Sequence, residues 1–243
     1  MTLLVALKGQ DGLVLAADSR GTFGDPRGVT AQNDAQEKAH ILAPHAAVLI
    51  AGSGEVGTLI IQETRQQVTE QQIDGVTNVM NRLREHARSR YQEWFPNVPA
   101  VVPLAQAQAG QVAVRPDLAF VVGGYDLGQE PSAAIYQLGS VFDFMPGLHN
   151  YGFAVAGVAT YALYLLNRLY QADRSVDELA ALAVYSITET ASQDGKVGGP
   201  VQVITISPQE GSSALTRQDV EGIQQQNEQR SQALRDSFYQ RRG

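Results

Sequence analysis

The chain opens with two short apolar runs. Leu3–Leu7 and Leu13–Ala17 carry no polar side chain on either face, and Lys8-Gly9-Gln10-Asp11-Gly12 between them is turn chemistry. Strands apolar on both faces lie between two layers rather than against water. The pattern therefore predicts a buried hairpin. A loop rich in Gly, Asp and Pro follows from Gly21 to Gly28, and Lys38–Leu42 with Ala46–Ala51 repeats the hairpin pattern around Ala43-Pro44-His45. At Gly52-Ser53-Gly54 the period changes. Val56, Leu59, Ile60 and Val68 keep a helical apolar face, and a second helix over 76–95 aligns Val79, Met80, Leu83, Ala87 and Tyr91. Residues 96–116 hold Pro96, Pro99 and Pro103 and read as an irregular insertion. Strands return at Leu118–Val122, Ala133–Gln137 and Phe153–Ala156. A helix follows over Ala159–Gln171, and another runs to about Ser192 from the capping box Ser175-Val176-Asp177-Glu178. Val201–Ile206 is the closing strand.

The order is strands, two helices, strands, two helices, strand. Hairpins make the sheets largely antiparallel, and strands apolar on both sides need helices outside and a second sheet inside. The fold class is therefore α+β, a four-layer α-β-β-α sandwich formed by residues 1–210. The tail, residues 211–243, is rich in Gln and Arg. It reads as a helical extension used in subunit contacts, with Val220, Ile223, Leu234 and Phe238 only loosely in phase.

Composition narrows the chemistry. The 243 residues include no Cys, which excludes disulfides and thiolate nucleophiles. A net charge of −7 repels phosphate backbones, so nucleic acid is not an expected partner. MTLLVALK is too short an apolar run for a signal peptide and follows no basic region. No apolar stretch approaches the roughly 18 residues of a membrane span. A cytoplasmic chain without membrane contact is expected. His40, His45, His86 and His149 have no metal-ligand spacing, so neither metal nor cofactor is expected.

Thr2 directly follows the start Met. Removal of Met1 would place a hydroxyl nucleophile and a free α-amine on one residue. An α-amine has an ordinary pKa of about 8, so near neutrality it can accept the hydroxyl proton. Such a site needs a cation, a carboxylate to hold that cation, and backbone N–H groups for the oxyanion. Asp18 and Arg20 end the strand paired with the Thr2 strand. Lys38 opens the next hairpin and would be costly to bury unless paired, with Asp18 as its natural partner. Gly52 stands at a strand-to-helix break, where a backbone N–H can approach a ligand. Asp194 lies in the loop Ser192-Gln193-Asp194-Gly195-Lys196-Val197-Gly198-Gly199 before the closing strand.

Together these blocks resemble the proteasome β-type family of N-terminal-nucleophile hydrolases, from Thr2 to about Ile206. The resemblance rests on the Thr2 to Arg20 start, Lys38 before Ile41, Ala51-Gly52-Ser53-Gly54, Val122-Gly123-Gly124-Tyr125-Asp126, and Asp194 before Gly198-Gly199. The direct Met-Thr start is similar to the HslV-like branch and to short bacterial homologues. The resemblance implies Thr2 as nucleophile and base, Asp18 and Lys38 as the charge pair, Gly52 N–H as oxyanion donor, Asp194 near the α-amine and Arg20 as a structural ion-pair member. It also implies a self-compartmentalising threonine-type endopeptidase, a homo-oligomer of stacked rings that cleaves polypeptides and is fed by an ATP-dependent unfoldase.

The chain departs from the family pattern at two positions. Val158 and Val197 stand where the family usually has serines that serve the α-amine's hydrogen bonds, and Ser192 or Thr160 are the candidates to replace them. Two alternatives stay open beside the peptidase: a weakly active or non-catalytic ring subunit, and a small-molecule amidase of the same fold. By strand alternation, Gly21, Gln36, His40, Ile50 and Gly54 are the expected substrate-pocket residues.

Overall fold

A computed structural model describes residues 2–24, 30–99 and 115–239. Met1 and most of the irregular insertion read over 96–116 lie outside the described residues.

The first sheet has the order β10-β1-β2-β11-β12, from β1 (Leu3–Lys8), β2 (Leu13–Ala17), β10 (Phe153–Gly157), β11 (Gln202–Ser207) and β12 (Gly211–Ala214). The second has the order β5-β6-β7-β8-β9, from β5 (Ala39–Ala43), β6 (Ala46–Gly52), β7 (Leu118–Asp126), β8 (Ser132–Gly139) and β9 (Gly147–Leu148). Every pairing is antiparallel.

Alternation along the strands builds three cores. Leu4, Ala6, Leu15, Ala47, Leu49 and Val121 point between the sheets. Their neighbours Leu3, Val5, Leu7 and Val14 point outward against α3 (Thr160–Leu169) and α4 (Val176–Gln193). On the other side Val48, Ile50, Phe120 and Val122 meet α1 (Gly54–Glu70) and α2 (Val76–Trp94). The four-layer sandwich follows from this division. Among the described residues no helix is long and apolar enough to cross a membrane.

Three strands lie in stretches with no apolar alternation. Gly21–Gly24 (β3) pairs with Thr30–Asn33 (β4) as a separate two-stranded ribbon, within what reads as a loop. β12 holds only Gly, Ser and Ala and is paired through the open edge of β11, so the tail begins as part of the first sheet. After Leu215 and Thr216 the described tail is helix α5 (Arg217–Tyr239). Its first half is docked. Val220 is buried in the outer core, and Asn227 Nδ2 donates to Ala181 O at 2.9 Å. Leu234, Phe238 and Tyr239 are exposed.

Candidate active site

Residue 2 heads the inner strand β1, and the register of β1 with β2 sets what lies beside it. Leu4 faces Ala17, so Asp18 comes next to Leu3, and its N–H donates to Leu3 O at 3.3 Å. The Asp18 side chain is wholly buried and collects four donors. Oδ1 accepts from Leu3 N–H at 2.9 Å and from Lys38 Nζ at 2.9 Å. Oδ2 accepts from Arg20 N–H at 3.2 Å and Gly198 N–H at 3.1 Å. A buried carboxylate is tolerated on such terms.

Lys38 precedes β5 and reaches across from the second sheet to the first. Its side chain is 1 % exposed, and its ammonium also donates to Arg20 O at 2.7 Å. Burial pushes the Lys38 pKa below its ordinary value; Asp18, and then Asp34, oppose that shift without reversing it. A lysine held closer to neutrality than usual is suited to exchanging or polarising protons.

Around this pair the chain is fastened by Arg20. Its guanidinium grips Asp34 with two bonds, Nε to Oδ1 at 2.7 Å and Nη2 to Oδ2 at 2.8 Å, and donates from Nη1 to Gly195 O at 3.0 Å. The Asp34 bonds raise the Arg20 pKa, and the Arg20 bonds lower that of Asp34. Ser19 Oγ donates to Asp34 O at 2.8 Å, closing the same corner.

A cavity of about 680 Å³ opens above. Thr2, Arg20, Gly21, Gln36, Gly52 and Gly54 line it, together with Thr22, Phe23, Asn33, Ser53, Glu55, Thr58 and Leu59. Gly52 ends β6 at φ +100°, a conformation that favours glycine, and a Cβ there would strike Asp117 O. Gly157, at φ +87°, lies so close to Thr2 O that a Cβ would collide with it, while Val158 N–H donates to that oxygen at 2.8 Å. Gln36 closes one side of the cavity, because its amide fills the space a side chain at residue 54 would occupy.

The remaining candidates are outside the cavity lining. His40 and Ile50 do not line the cavity. Ile50 packs in the α1–α2 core against Gly57, and buried His40 has Nδ1 at 3.4 Å from Glu37 Oε1 and 3.5 Å from Arg65 Nη2. Both residues sit on the strand face that α1 covers. The Asp194 carboxylate turns back on its own loop and accepts Lys196 N–H at 2.9 Å. Val197 is buried in the α3–α4 core with Val158 packed against it, Ser192 donates to Glu189 O, and Thr160 is exposed at the start of α3. Asp34 and Gln202, which hold the backbone beneath the cavity, carry no motif signal in the sequence.

Two antiparallel sheets between helix pairs, with residue 2 heading an inner strand beside a buried lysine–carboxylate pair, define the N-terminal-nucleophile hydrolase class. Within that class the chain belongs to the proteasome subunit family, whose pattern it matches over residues 2–206. A chain named proteasome subunit beta 2 from Pyrococcus abyssi is 30% identical over 229 residues, 93% of this chain and 95% of that one. Among solved structures, the Anbu (Gly-1) mutant from Hyphomicrobium sp. strain MC1 superposes with a TM-score of 0.71 at 17% identity, covering 100% of this chain and 99% of its own. The helical assembly of the Anbu complex from Pseudomonas aeruginosa gives 0.74 at 19% identity, covering 99% and 97%. These two structural likenesses concern the fold.

Proposed function

We propose that the chain is a threonine-type peptidase that acts once Met1 is removed. The observation that carries this reading is the buried Asp18–Lys38 pair, whose carboxylate also holds Leu3 N–H directly after Thr2 at the cavity wall. In the proposed reaction Thr2 Oγ attacks the substrate carbonyl carbon and its proton passes to the Thr2 α-amine. Lys38 favours a neutral amine and stabilises the developing alkoxide. Gly52 N–H meets the oxyanion, the C–N bond breaks, and the leaving amine takes the proton from the α-ammonium. Water then hydrolyses the ester on Thr2. Asp194 remains a candidate for holding the amine once Met1 is gone.

One observation favours a second reading, that of a weakly active or non-catalytic subunit. Val158 and Val197, at the positions where the family resemblance implies serines for the amine, are packed in apolar core and offer no hydroxyl. The family, and the helical assembly of the Anbu structure from Pseudomonas aeruginosa, support self-association, and a closed assembly would need an ATP-driven unfoldase to deliver folded polypeptide.

Intact mass after incubation with a peptide epoxyketone tests the chemistry, since that warhead closes a stable ring only on a free α-amine and hydroxyl of one residue. The expected result is loss of Met and one adduct per chain, absent in Thr2→Ala. Retained Met with no adduct would turn the assignment to the non-catalytic subunit. An adduct with small amides cleaved and peptides untouched would turn it to an amidase.

A further inference from the structure

Among the described residues β5 is an edge strand, with β6 on one side and no strand on the other. Lys38 O is used by Ile50 N–H at 2.9 Å, which ties the lysine backbone to β6. The amides of Lys38 and Ala39 find their partner in the opposite sheet. Gln202 Oε1 accepts Lys38 N–H at 2.8 Å and Ala39 N–H at 3.0 Å, and Gln202 Nε2 donates to Gln36 O at 2.7 Å. One side-chain amide thus takes three backbone groups of residues 36–39, as an added peptide unit would. Gln202 is the first residue of β11 and pairs with Ala17, the neighbour of Asp18. The Gln202 bridge and the Lys38–Asp18 bridge therefore cross the same gap between the sheets.

We propose that Gln202 is a positioning residue for Lys38. It sets the lysine's backbone so that the ammonium, at the end of a flexible four-carbon stem, stays on Asp18 and Arg20 O beside Thr2. Both ends of the amide are needed, the acceptor for two N–H groups and the donor for a carbonyl. Met matches the length and supplies neither. Glu keeps the acceptor alone. A separate cavity of about 520 Å³ lies on the far side of Gln202, between β11 and the start of α5, so a substituted side chain meets open space rather than packed core.

The inference rests on the threonine-peptidase reading, and its test separates the two. Hydrogen exchange at the Lys38 and Ala39 amides, turnover of a fluorogenic peptide and epoxyketone labelling are measured in the full chain, in Gln202→Met and in Gln202→Glu. Exchange at the two amides is expected to speed up in Q202M while the β6–β7 amides stay protected. A misplaced catalytic group costs roughly ten- to a hundredfold, so kcat is expected to fall in that range with KM within twofold. Q202E, which keeps the acceptor for the two amides but loses the donor to Gln36 O, is expected to recover only part of the loss. Wild-type exchange or wild-type kcat in Q202M overturns the role, as does a loss confined to KM. If the unsubstituted chain neither cleaves nor labels, the peptidase reading fails by itself. Exchange then decides the positioning: faster exchange in Q202M upholds it and unchanged exchange overturns it.

Discussion

Lys38 is the residue on which structure and chemistry meet most closely. Its side chain is 1 % exposed and that of Asp18 is 0 % exposed, so neither charge is screened by water. Removing one member of a buried ion pair leaves the other charge uncompensated, typically at about 3–5 kcal/mol. Asp18 keeps three backbone donors when the lysine is gone. Lys38→Met is therefore expected to destabilise by an amount near the lower end, about 3 kcal/mol, read as a lowered urea midpoint with an unchanged slope. A wild-type midpoint would mean that the pair is not held ionised in the folded chain. At this scale the sequence was informative for Thr2, Asp18, Lys38 and Gly52, because each stands at an element end where an unusual residue type is visible. It was uninformative for His40 and Ile50, where strand alternation gives two faces and only packing says which one α1 covers.

Among the elements, α4 begins as its sequence signals. Ser175 Oγ accepts Glu178 N–H at 3.3 Å, and Glu178 Oε2 accepts Ser175 N–H at 3.0 Å. Ser175→Ala is expected to lower stability by about 1 kcal/mol, measured by chemical denaturation; no change would mean that the tertiary contacts of α4 suffice without its cap. The α1–α2 connection is tied to the β5–β6 turn by Asp74, which accepts Gly75 N–H, His45 N–H and the His45 ring. Burial pushes the Asp74 carboxyl up, but the His45 ring and the N–H bonds outweigh it and hold the pKa below the ordinary value. A lowered folded-state pKa contributes stability above the unfolded value of about 3.9 and loses it as pH falls through the folded value. The stability difference between wild type and Asp74→Asn should therefore be present at pH 5.5 and shrink at pH 3. A difference independent of pH would contradict the assignment. The strands the pattern did not announce, β3, β4, β12 and the two-residue β9, lack apolar alternation. Their pairing depends on a ribbon partner and on the free edges of β11 and β8.

At the scale of the molecule the surface is unevenly apolar. Tyr161, Tyr164 and Leu169 of α3 are exposed, as are Leu234, Phe238 and Tyr239 at the end of α5. Grouped exposed apolar side chains mark contact surfaces, and both helices flank the same outer layer through α4. Light scattering is expected to give a mass several times the 26.2 kDa of one chain. Tyr164→Glu and Phe238→Glu are each expected to lower it while leaving the circular dichroism unchanged. A strictly monomeric wild type would remove self-association, and with it the self-compartmentalised site.

The layer order was determined by the sequence alone. Hydrophobic period is a local property, and doubly apolar hairpins alternating with paired amphipathic helices have one economical packing. The same reading reached the Asp18–Lys38 pair, because a buried lysine needs a carboxylate and Asp18 stands at the neighbouring strand end. Tertiary structure decided which side chains close the site. Asp34 meets Arg20 only because β4 folds back beside β3. Gln202 meets Lys38 across 164 positions, because the register of β11 on β2 brings it to the gap between the sheets. Such contacts depend on how two sheets are set against each other, and a one-residue slip would turn every one of those side chains to the opposite face.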